Sequence, residues 1–370
     1  MSSSTNAHMR NFDSLTSGLL HPAAKKALTS LPDYAYFDST KLYHESRSAR
    51  LLLDSARASI AARLKVNPDE VSFIPSGNAG LDLIISGLLN ATNNKKVVSS
   101  SVEQKAIIER FKSFDSTLVS VDNLARINEK EFIEKLDSIK PGLAVLQFSN
   151  HEVGTQQPLH PVFKKCQELN IPLFVDASMT AGLVNVGNDW DILLLKPSSW
   201  GAPIGLDVLV VKRNVLFKSI LLDDGRENHK FSSNIFIPQA VAIGASLEAI
   251  NENRSETSRS LSILIKDLRE QLEKIKNIIV LGDPVARLPH VISFLIENVD
   301  GEFISQNLSK KGFAVSSGSS CTPDAIKPSH VLSEMGYPNQ AHIRVSLAFD
   351  TKKEDIDAFV LALTQTLNEI

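Results

Sequence analysis

Charged and polar side chains stand where apolar segments of the chain end, which is where parallel sheets present their ligand-binding groups. Asp176 ends one such segment, and its carboxylate could pair with a cationic ring nitrogen or could simply form a turn or a helix N-cap. His151 and Glu152 follow another segment, either as an acid/base pair or as polar residues that cover a sheet edge. Lys196 follows the apolar residues 192–195, either as a functional amine or as a lysine that marks where the strand meets water.

Two side chains in the C-terminal part could act as a nucleophile and as a carboxylate ligand. Cys321 lies in a Ser/Gly-rich loop without apolar neighbours, so we expect an exposed thiol, either nucleophilic or an incidental surface cysteine. Arg344 precedes alternating strand residues and could hold a carboxylate through two hydrogen bonds, or could be an ordinary surface arginine. Cys166, inside an amphipathic helix, is predicted to be a small core residue.

A turn of small residues could bind an anion. Ser76, Gly77, Asn78 and Ala79 lie between a short apolar strand and a helix predicted over residues 81–89. The first N–H groups of a helix have no partner within the helix, so such a turn can bind a phosphate. Ordinary turn and N-cap chemistry would produce the same composition.

The elements that must position these residues alternate between strands and helices. Residues 192–195 and 208–211 are predicted to be buried strands, separated by a Gly/Pro-rich turn. The alternation before them favours a mainly parallel sheet with helices on both faces. Residues 34–37 are predicted to form a short extended segment. The spacing of strands and helices changes from residue 278, which indicates a smaller α+β domain.

The domain boundaries follow from this change of pattern. We expect a large α/β domain over residues 15–250 and a smaller α+β domain formed by residues 1–14 and 251–370.

Composition limits the class of protein. The 39 basic and 42 acidic residues nearly balance, which argues against binding nucleic acid or anionic lipid. No apolar segment reaches the roughly 18 residues that a membrane helix needs, and the N-terminus does not resemble a secretory signal. Two cysteines make no disulfide framework, and no Cys/His cluster has the spacing of a metal site. We therefore expect a soluble, cytoplasmic protein.

Several motifs resemble, in the same order, those of the cysteine desulfurase branch of the class V aminotransferases, which are pyridoxal-phosphate enzymes of fold type I. The most specific is residues 316–321 followed by Pro328-Ser329-His330-Val331-Leu332, similar to the loop of the persulfide-forming cysteine and the helix after it. The other matching motifs are Phe12-Asp13, residues 39–50, Ser76-Gly77, Glu103-Gln104-Lys105-Ala106, residues 150–158, Val175-Asp176-Ala177-Ser178-Met179 and residues 341–347.

The resemblance implies a fold, a cofactor and site residues. The fold would be of type I, with a large domain on a mainly parallel seven-stranded sheet, a smaller α+β domain, and assembly as a homodimer. The cofactor would be pyridoxal 5'-phosphate, with Asp176 at the ring nitrogen and residues 76–79 at the phosphate. Cys321 would form the persulfide, and Asn150 and Arg344 would bind the substrate.

The departures from the family pattern cluster on the cofactor. A match without gaps places Ser199 where the family has the lysine that forms the Schiff base, with Lys196 three positions earlier. Gln104 replaces a histidine that stacks on the ring, and an amide cannot act as a general acid or base. Without an amine at residue 199 the reaction loses its electron sink. The other cofactor positions that differ are Ala79, His151, Met179, Ser198 and, contributed by the neighbouring subunit, Asn234.

Three functional hypotheses follow. In the first, the protein has lost pyridoxal-phosphate catalysis and acts as a regulatory homologue or as a sulfur acceptor through Cys321. In the second, it is an active desulfurase that converts L-cysteine to L-alanine, with Lys196 as a relocated Schiff-base lysine. In the third, it is a non-catalytic structural partner of an active paralogue. A protein that accepts the sulfur, or a scaffold protein, would be its partner.

Overall fold

The chain folds around a seven-stranded sheet. The structure is a computed structural model and describes residues 9–16, 18–180, 182–297, 299–317, 329–337 and 341–369. Thirteen strands lie in these ranges, in chain order β1 (Arg10–Asn11), β2 (Val71–Pro75), β3 (Val97–Ser100), β4 (Ser116–Val119), β5 (Leu143–Gln147), β6 (Leu173–Asp176), β7 (Ile192–Leu195), β8 (Leu206–Val211), β9 (Ile278–Val280), β10 (Val291–Ile296), β11 (Phe313–Ala314), β12 (Ser316–Ser317) and β13 (Ala341–Ser346).

Helices cover both faces of this sheet. The described α-helices are α1 (Pro22–Thr29), α2 (His44–Leu64), α3 (Asn78–Asn90), α4 (Lys105–Phe111), α5 (Glu129–Ile139), α6 (Leu159–Leu169), α7 (Ile237–Glu252), α8 (Arg254–Leu272), α9 (Gly301–Lys310), α10 (His330–Glu334) and α11 (Lys353–Asn368). Short 3-10 helices lie at Asp33–Tyr36, Pro68–Glu70, Pro197–Trp200 and Arg226–His229.

The strand order of the large sheet is β2-β8-β7-β6-β5-β3-β4. Strand β8 runs antiparallel to both of its neighbours, β2 and β7, and the other pairs are parallel. Every residue of β5, β6 and β7 is buried, because helices pack on both faces of a parallel sheet. The predicted fold class, a mainly parallel seven-stranded sheet in an α/β protein, is confirmed.

A second sheet lies in the C-terminal part, with the antiparallel order β12-β13-β10-β9. The N-terminal segment runs beside it, since Ser14 N–H donates to the carbonyl oxygen of Ser346 and the Phe12 ring packs on those of Phe313 and Phe359. The domain boundaries at residues 14–15 and 250–251 stay a prediction.

The extended segment expected at residues 34–37 is wrong. Asp33–Tyr36 forms a 3-10 helix, in which Ala35 N–H donates to the carbonyl oxygen of Pro32 and Phe37 N–H to that of Tyr34. The aromatic residues suggested a strand, but Ala35 is buried and local i to i+3 hydrogen bonds satisfy the backbone.

Candidate functional site

The sheet topology brings several of the predicted residues to one edge. Gly77 follows β2, Gln104 follows β3, Asp176 ends β6 and Lys196 follows β7. These strands are parallel to one another, so their carboxyl ends meet at the same edge. Asp207 lies there too, because it is the second residue of the antiparallel strand β8.

The carboxylate of Asp176 is bonded on both oxygens by the chain itself. Ser178 N–H donates to Oδ1 at 2.9 Å, and the Gln104 side-chain Nε2 donates to Oδ2 at 2.6 Å. The same Nε2 donates to Ser178 Oγ at 2.9 Å, which uses the second N–H of the amide. Asp176 is 3% exposed, and burial raises the pKa of its carboxyl. Asp176 therefore stabilises a turn, which is one of its two predicted roles. It also forms a long-range hydrogen bond with Gln104.

Residues 198 and 199 lie in the 3-10 helix Pro197–Trp200, and both serine side chains are buried. Ser199 Oγ donates to the carbonyl oxygen of Lys196 at 2.7 Å, so the hydroxyl is held by the turn that contains it. The position that corresponds to the family's lysine thus carries a short side chain bonded to its own backbone.

Lys196 is half-buried at the end of β7. Its positive charge lowers the pKa of both Asp176 and Asp207 against the larger effect of burial, which raises it. The ammonium group therefore lies close enough to both carboxylates to act on them electrostatically.

The turn after β2 forms the N-terminus of α3. Gly77 is the N-cap and has φ 75°, a conformation that an L-residue adopts only with strain. Ser76 is half-buried, and Gly77, Asn78 and Ala79 are exposed. The N–H of Gly77 donates to Oδ2 of Asp207 at 3.3 Å. Asp207 is not among the residues predicted from sequence, although a single acidic residue near the start of an apolar strand is an unusual feature.

Arg344 is buried, so its interpretation as an ordinary surface arginine is wrong. Its Nη2 donates to Asp13 Oδ1 at 2.9 Å and to Thr16 Oγ1 at 2.7 Å, and its Nη1 donates to the carbonyl oxygen of His151 at 2.9 Å. The carboxylate that this guanidinium holds is therefore the chain's own Asp13.

Asn150 and His151 lie in the turn after β5. Asn150 is fully buried, and its Oδ1 accepts from the backbone N–H groups of Glu152 and Val153. Burial lowers the pKa of His151 to about 3, with further lowering by the nearby positive charges of His330 and Arg344. The side chain of Asn150 therefore shapes the turn, and His151 is neutral near pH 7.

Glu152 fixes the segment that follows the predicted cysteine loop. Both of its carboxylate oxygens accept from Ser329 Oγ at 2.7 Å, and burial raises the pKa of Glu152. The Nε2 of His151 lies 3.7 Å from its Oε1, so the two side chains of the predicted acid/base pair are close but not hydrogen-bonded.

Of the other predicted residues, Met179 packs against the main core three positions after Asp176, and Asn234 is exposed. Cys321 lies outside the described residues. Cys166 is fully buried, which confirms its prediction as a core residue, and burial raises the pKa of its thiol to about 12.

Sequence similarity shows the family to which this chain belongs. A sequence profile of the aminotransferase class-V proteins matches residues 16–359. The chain belongs to the class V aminotransferase family. The cysteine desulfurase IscS of Dictyoglomus turgidum is 27% identical over 347 residues, 90% of this chain and 87% of that protein. A cysteine desulfurase of Nostoc sp. is 28% identical over 332 residues, 85% of this chain and 82% of that protein.

Solved structures share the fold of this class V chain. A NifS-like protein from Rickettsia africae matches with a TM-score of 0.87 and 22% identity, covering 98% of this chain and 100% of that chain. The apo structure of a cysteine desulfurase from Thermococcus onnurineus matches with a TM-score of 0.84 and 17% identity, covering 98% and 95%. Among the described residues, no helix combines the length and the apolar character that a membrane span requires.

The class V family implies pyridoxal phosphate, and the residues at the sheet edge do not fit that group. Position 199 offers a hydroxyl in place of an amine, and the Asp176 carboxylate is bonded by Gln104 and Ser178. At the N-terminus of α3, where the phosphate would lie, the Gly77 N–H already donates to the carboxylate of Asp207.

Proposed function

We propose that this chain is a cysteine desulfurase-like protein that has lost pyridoxal-phosphate catalysis and accepts sulfur at Cys321, as a sulfur acceptor or regulatory homologue. The observation that carries the proposal is the contact between Gln104 and Asp176. A carboxylate at this edge could hold a cationic ring nitrogen, but here an uncharged amide fills that role from within the chain. The serine at position 199 points the same way.

The proposed transfer needs a persulfide donor, R–S–SH. The Cys321 thiolate attacks the terminal sulfur of the donor, the donor's S–S bond breaks, and the donor leaves as the thiolate R–S⁻. Cys321 then carries the S–SH group. The exchange involves no net oxidation or reduction, so the step requires neither a cofactor nor an external oxidant.

Cys166, the second cysteine of the chain, provides an internal control for an experiment that loads sulfur on Cys321. Cys166 is fully buried with a raised thiol pKa, so alkylation of the native protein is expected to modify one cysteine per chain, Cys321. A small-molecule persulfide should load sulfur on the wild type and on Cys166→Ser, and should not load it on Cys321→Ser. Mass spectrometry of the intact chains measures the added sulfur.

Loading of Cys321→Ser to the wild-type level would contradict the proposal. If Cys321→Ser behaves as the wild type in every assay and the chain forms a stable hetero-oligomer with an active paralogue, the third hypothesis, a structural partner, is favoured instead.

A second candidate function is an active desulfurase with Lys196 as the relocated amine. The observation that favours it is the position of the ammonium group, near enough to lower the pKa of Asp176 and Asp207. Conversion of L-cysteine to L-alanine by the wild type, abolished in Lys196→Ala, would establish this function. The first proposal expects no alanine above a heat-denatured control.

We also propose that the chain forms a homodimer in the cytoplasm. An exposed aromatic patch supports the proposal of a dimer. The patch consists of Tyr36, Phe37, Tyr43 and Phe236, and each side chain is at least 40% exposed. The rings of Tyr36 and Phe236 lie 6.1 Å apart, as do those of Phe37 and Tyr43, and Tyr36 and Phe37 are neighbours in the chain. Several exposed aromatic side chains on one segment of the surface are typical of protein interfaces.

Phe236→Asp is expected to shift the protein from dimer to monomer, because it places a charge within the aromatic patch. Light scattering coupled to gel filtration measures the mass. The control is Leu361→Asp on α11, at a similarly exposed apolar side chain outside the patch, which should leave the mass unchanged. A dimer that persists in Phe236→Asp would place the interface elsewhere.

A further inference from the structure

Asp207 is a charged residue in a strand that is otherwise apolar. It is the second residue of β8, followed by four buried valine and leucine residues, and is itself 6% exposed. Because β8 runs antiparallel to β2, its start lies beside the end of β2, where Ile74 pairs with Asp207. The carboxylate therefore lies beside the turn that leads into α3.

The carboxylate of Asp207 binds the first free N–H of that helix. Gly77 is the N-cap of the 13-residue α3, and its N–H donates to Asp207 Oδ2. The N-terminus of a helix carries a partial positive charge and attracts anions, whether a phosphate or a carboxylate. Asp207 thus places a carboxyl group of the chain itself at a place suited to an external anion.

The charges around Asp207 favour one anion at the N-terminus of α3 and disfavour a second. Burial raises the pKa of Asp207 to about 7, the negative charge of Asp176 adds to this, and Lys196 and the Gly77 N–H oppose it. Burial and the charge of Asp176 likewise raise the pKa of Glu103, which lies fully buried beside this group. Lys196 is the cation that acts on both aspartates. A phosphate would add two negative charges to a cluster that already has an excess of carboxyl groups.

We propose that Asp207 determines the ligand specificity of this sheet edge by occupying the anion site at the N-terminus of α3, so that the protein does not favour phosphorylated ligands. The inference rests on the proposed function, since it concerns the same site, but it can fail separately. Sulfur loading of Cys321 tests the proposed function, whereas the preference for a phosphate group tests this inference.

Binding of pyridoxine 5'-phosphate and of pyridoxine, measured by calorimetry, tests the inference directly. Neither probe has an aldehyde, so neither reacts with surface lysines. The wild type is expected to bind the phosphorylated probe no more tightly than the other. Asp207→Asn keeps an oxygen that can accept from Gly77 N–H but removes the charge, and it should favour the phosphorylated probe by about tenfold or more.

Two further variants keep the test decisive. Asp207→Gly removes the whole side chain and should show the same gain, which covers the case in which Asp207→Asn does not fold. Asp191→Asn is the matched control, because Asp191 is a buried carboxylate that accepts from Leu173 N–H at 3.0 Å, at the opposite edge of the sheet. It should show no gain. A wild type that already prefers the phosphorylated probe, or Asp207 variants without a gain, would overturn the inference.

Discussion

Replacing Glu227 with alanine is expected to lower the free energy of unfolding by about 3–5 kcal/mol, because it leaves a buried arginine without its counter-charge. The Glu227 carboxylate accepts from both terminal nitrogens of Arg57, at 2.8 and 2.9 Å, and from Phe73 N–H at 2.6 Å. Both side chains of the ion pair are less than 10% exposed. The pair fastens the segment Arg226–His229 to the start of β2.

The backbone conformation of that segment shows why the anchor matters. Glu227, Asn228 and His229 have positive φ angles in succession, a conformation that non-glycine residues adopt at a cost. The segment leads to Asn234 and to Phe236 of the aromatic patch, so loosening it is also expected to weaken the dimer.

Denaturant unfolding of Glu227→Ala and of a control variant checks the first prediction. The control is Glu248→Ala. Glu248 forms an exposed ion pair with Arg63, which lies on α2 as Arg57 does, so its loss should cost at most about 1 kcal/mol. Equal losses in the two variants would show that the buried pair contributes no more than an exposed one.

The second large effect concerns acid stability. His290 is fully buried, and within the described part of the chain neither ring nitrogen has a hydrogen-bond partner. Burial lowers its pKa from 6.5 to about 3, with smaller contributions from Arg287 and Arg344. Above pH 6.5 the histidine is neutral in both states, so its contribution to stability is complete. As the pH falls below 6.5 the unfolded chain takes up a proton that the folded chain does not, and about 1.4 kcal/mol per pH unit is lost.

Other groups also make the stability depend on pH, so the prediction is a difference between variants. His151 and His342 add slopes of the same sign, whereas the raised pKa of Asp176 works in the opposite direction, because the folded chain then binds the proton more readily. His290→Leu should therefore lose less stability than the wild type between pH 7 and pH 5, by about 2 kcal/mol.

The control for the pH effect is Val291→Ala, which removes buried apolar atoms next to His290 but no titrating group. It should be less stable at every pH, with the wild-type dependence on pH. If His290→Leu keeps the wild-type dependence, the buried histidine does not control acid stability.

The sequence predicts the framework of the fold because the framework depends on local patterns. The apolar residues of β7 and β8, and the small residues before α3, identify the strands and the turn without any knowledge of long-range contacts. The parallel topology then follows, and with it the sheet edge at which Asp176 and Lys196 meet.

The partners within the site could not be predicted in the same way. The contact from Gln104 to Asp176 spans 72 residues, that from Gly77 to Asp207 spans 130, and that from Arg344 to Asp13 spans 331. Such pairs depend on the register of strands and on side-chain rotamers, which no local pattern encodes. The substitutions at positions 104 and 199 indicated an altered site, but not that internal groups bind Asp176, Gly77 and Arg344.

These three contacts have a common consequence. Internal side chains bind the groups that the family resemblance assigns to the cofactor ring, to the cofactor phosphate and to the substrate carboxylate. A buried polar group that is already hydrogen-bonded gains little from an external partner, because binding must first break the internal bond. We therefore expect weak binding of pyridoxal phosphate as well as the absence of catalysis.

The loss of the cofactor site is tested by the visible absorbance spectrum of the purified protein with added pyridoxal phosphate, followed by borohydride reduction and peptide mass mapping. We expect no saturable absorbance band, and adducts only on scattered exposed lysines, in equal amounts in the wild type and in Lys196→Ala. A saturable band together with a pyridoxyl adduct on Lys196, both lost in Lys196→Ala, would show instead that the chain has an active cofactor site.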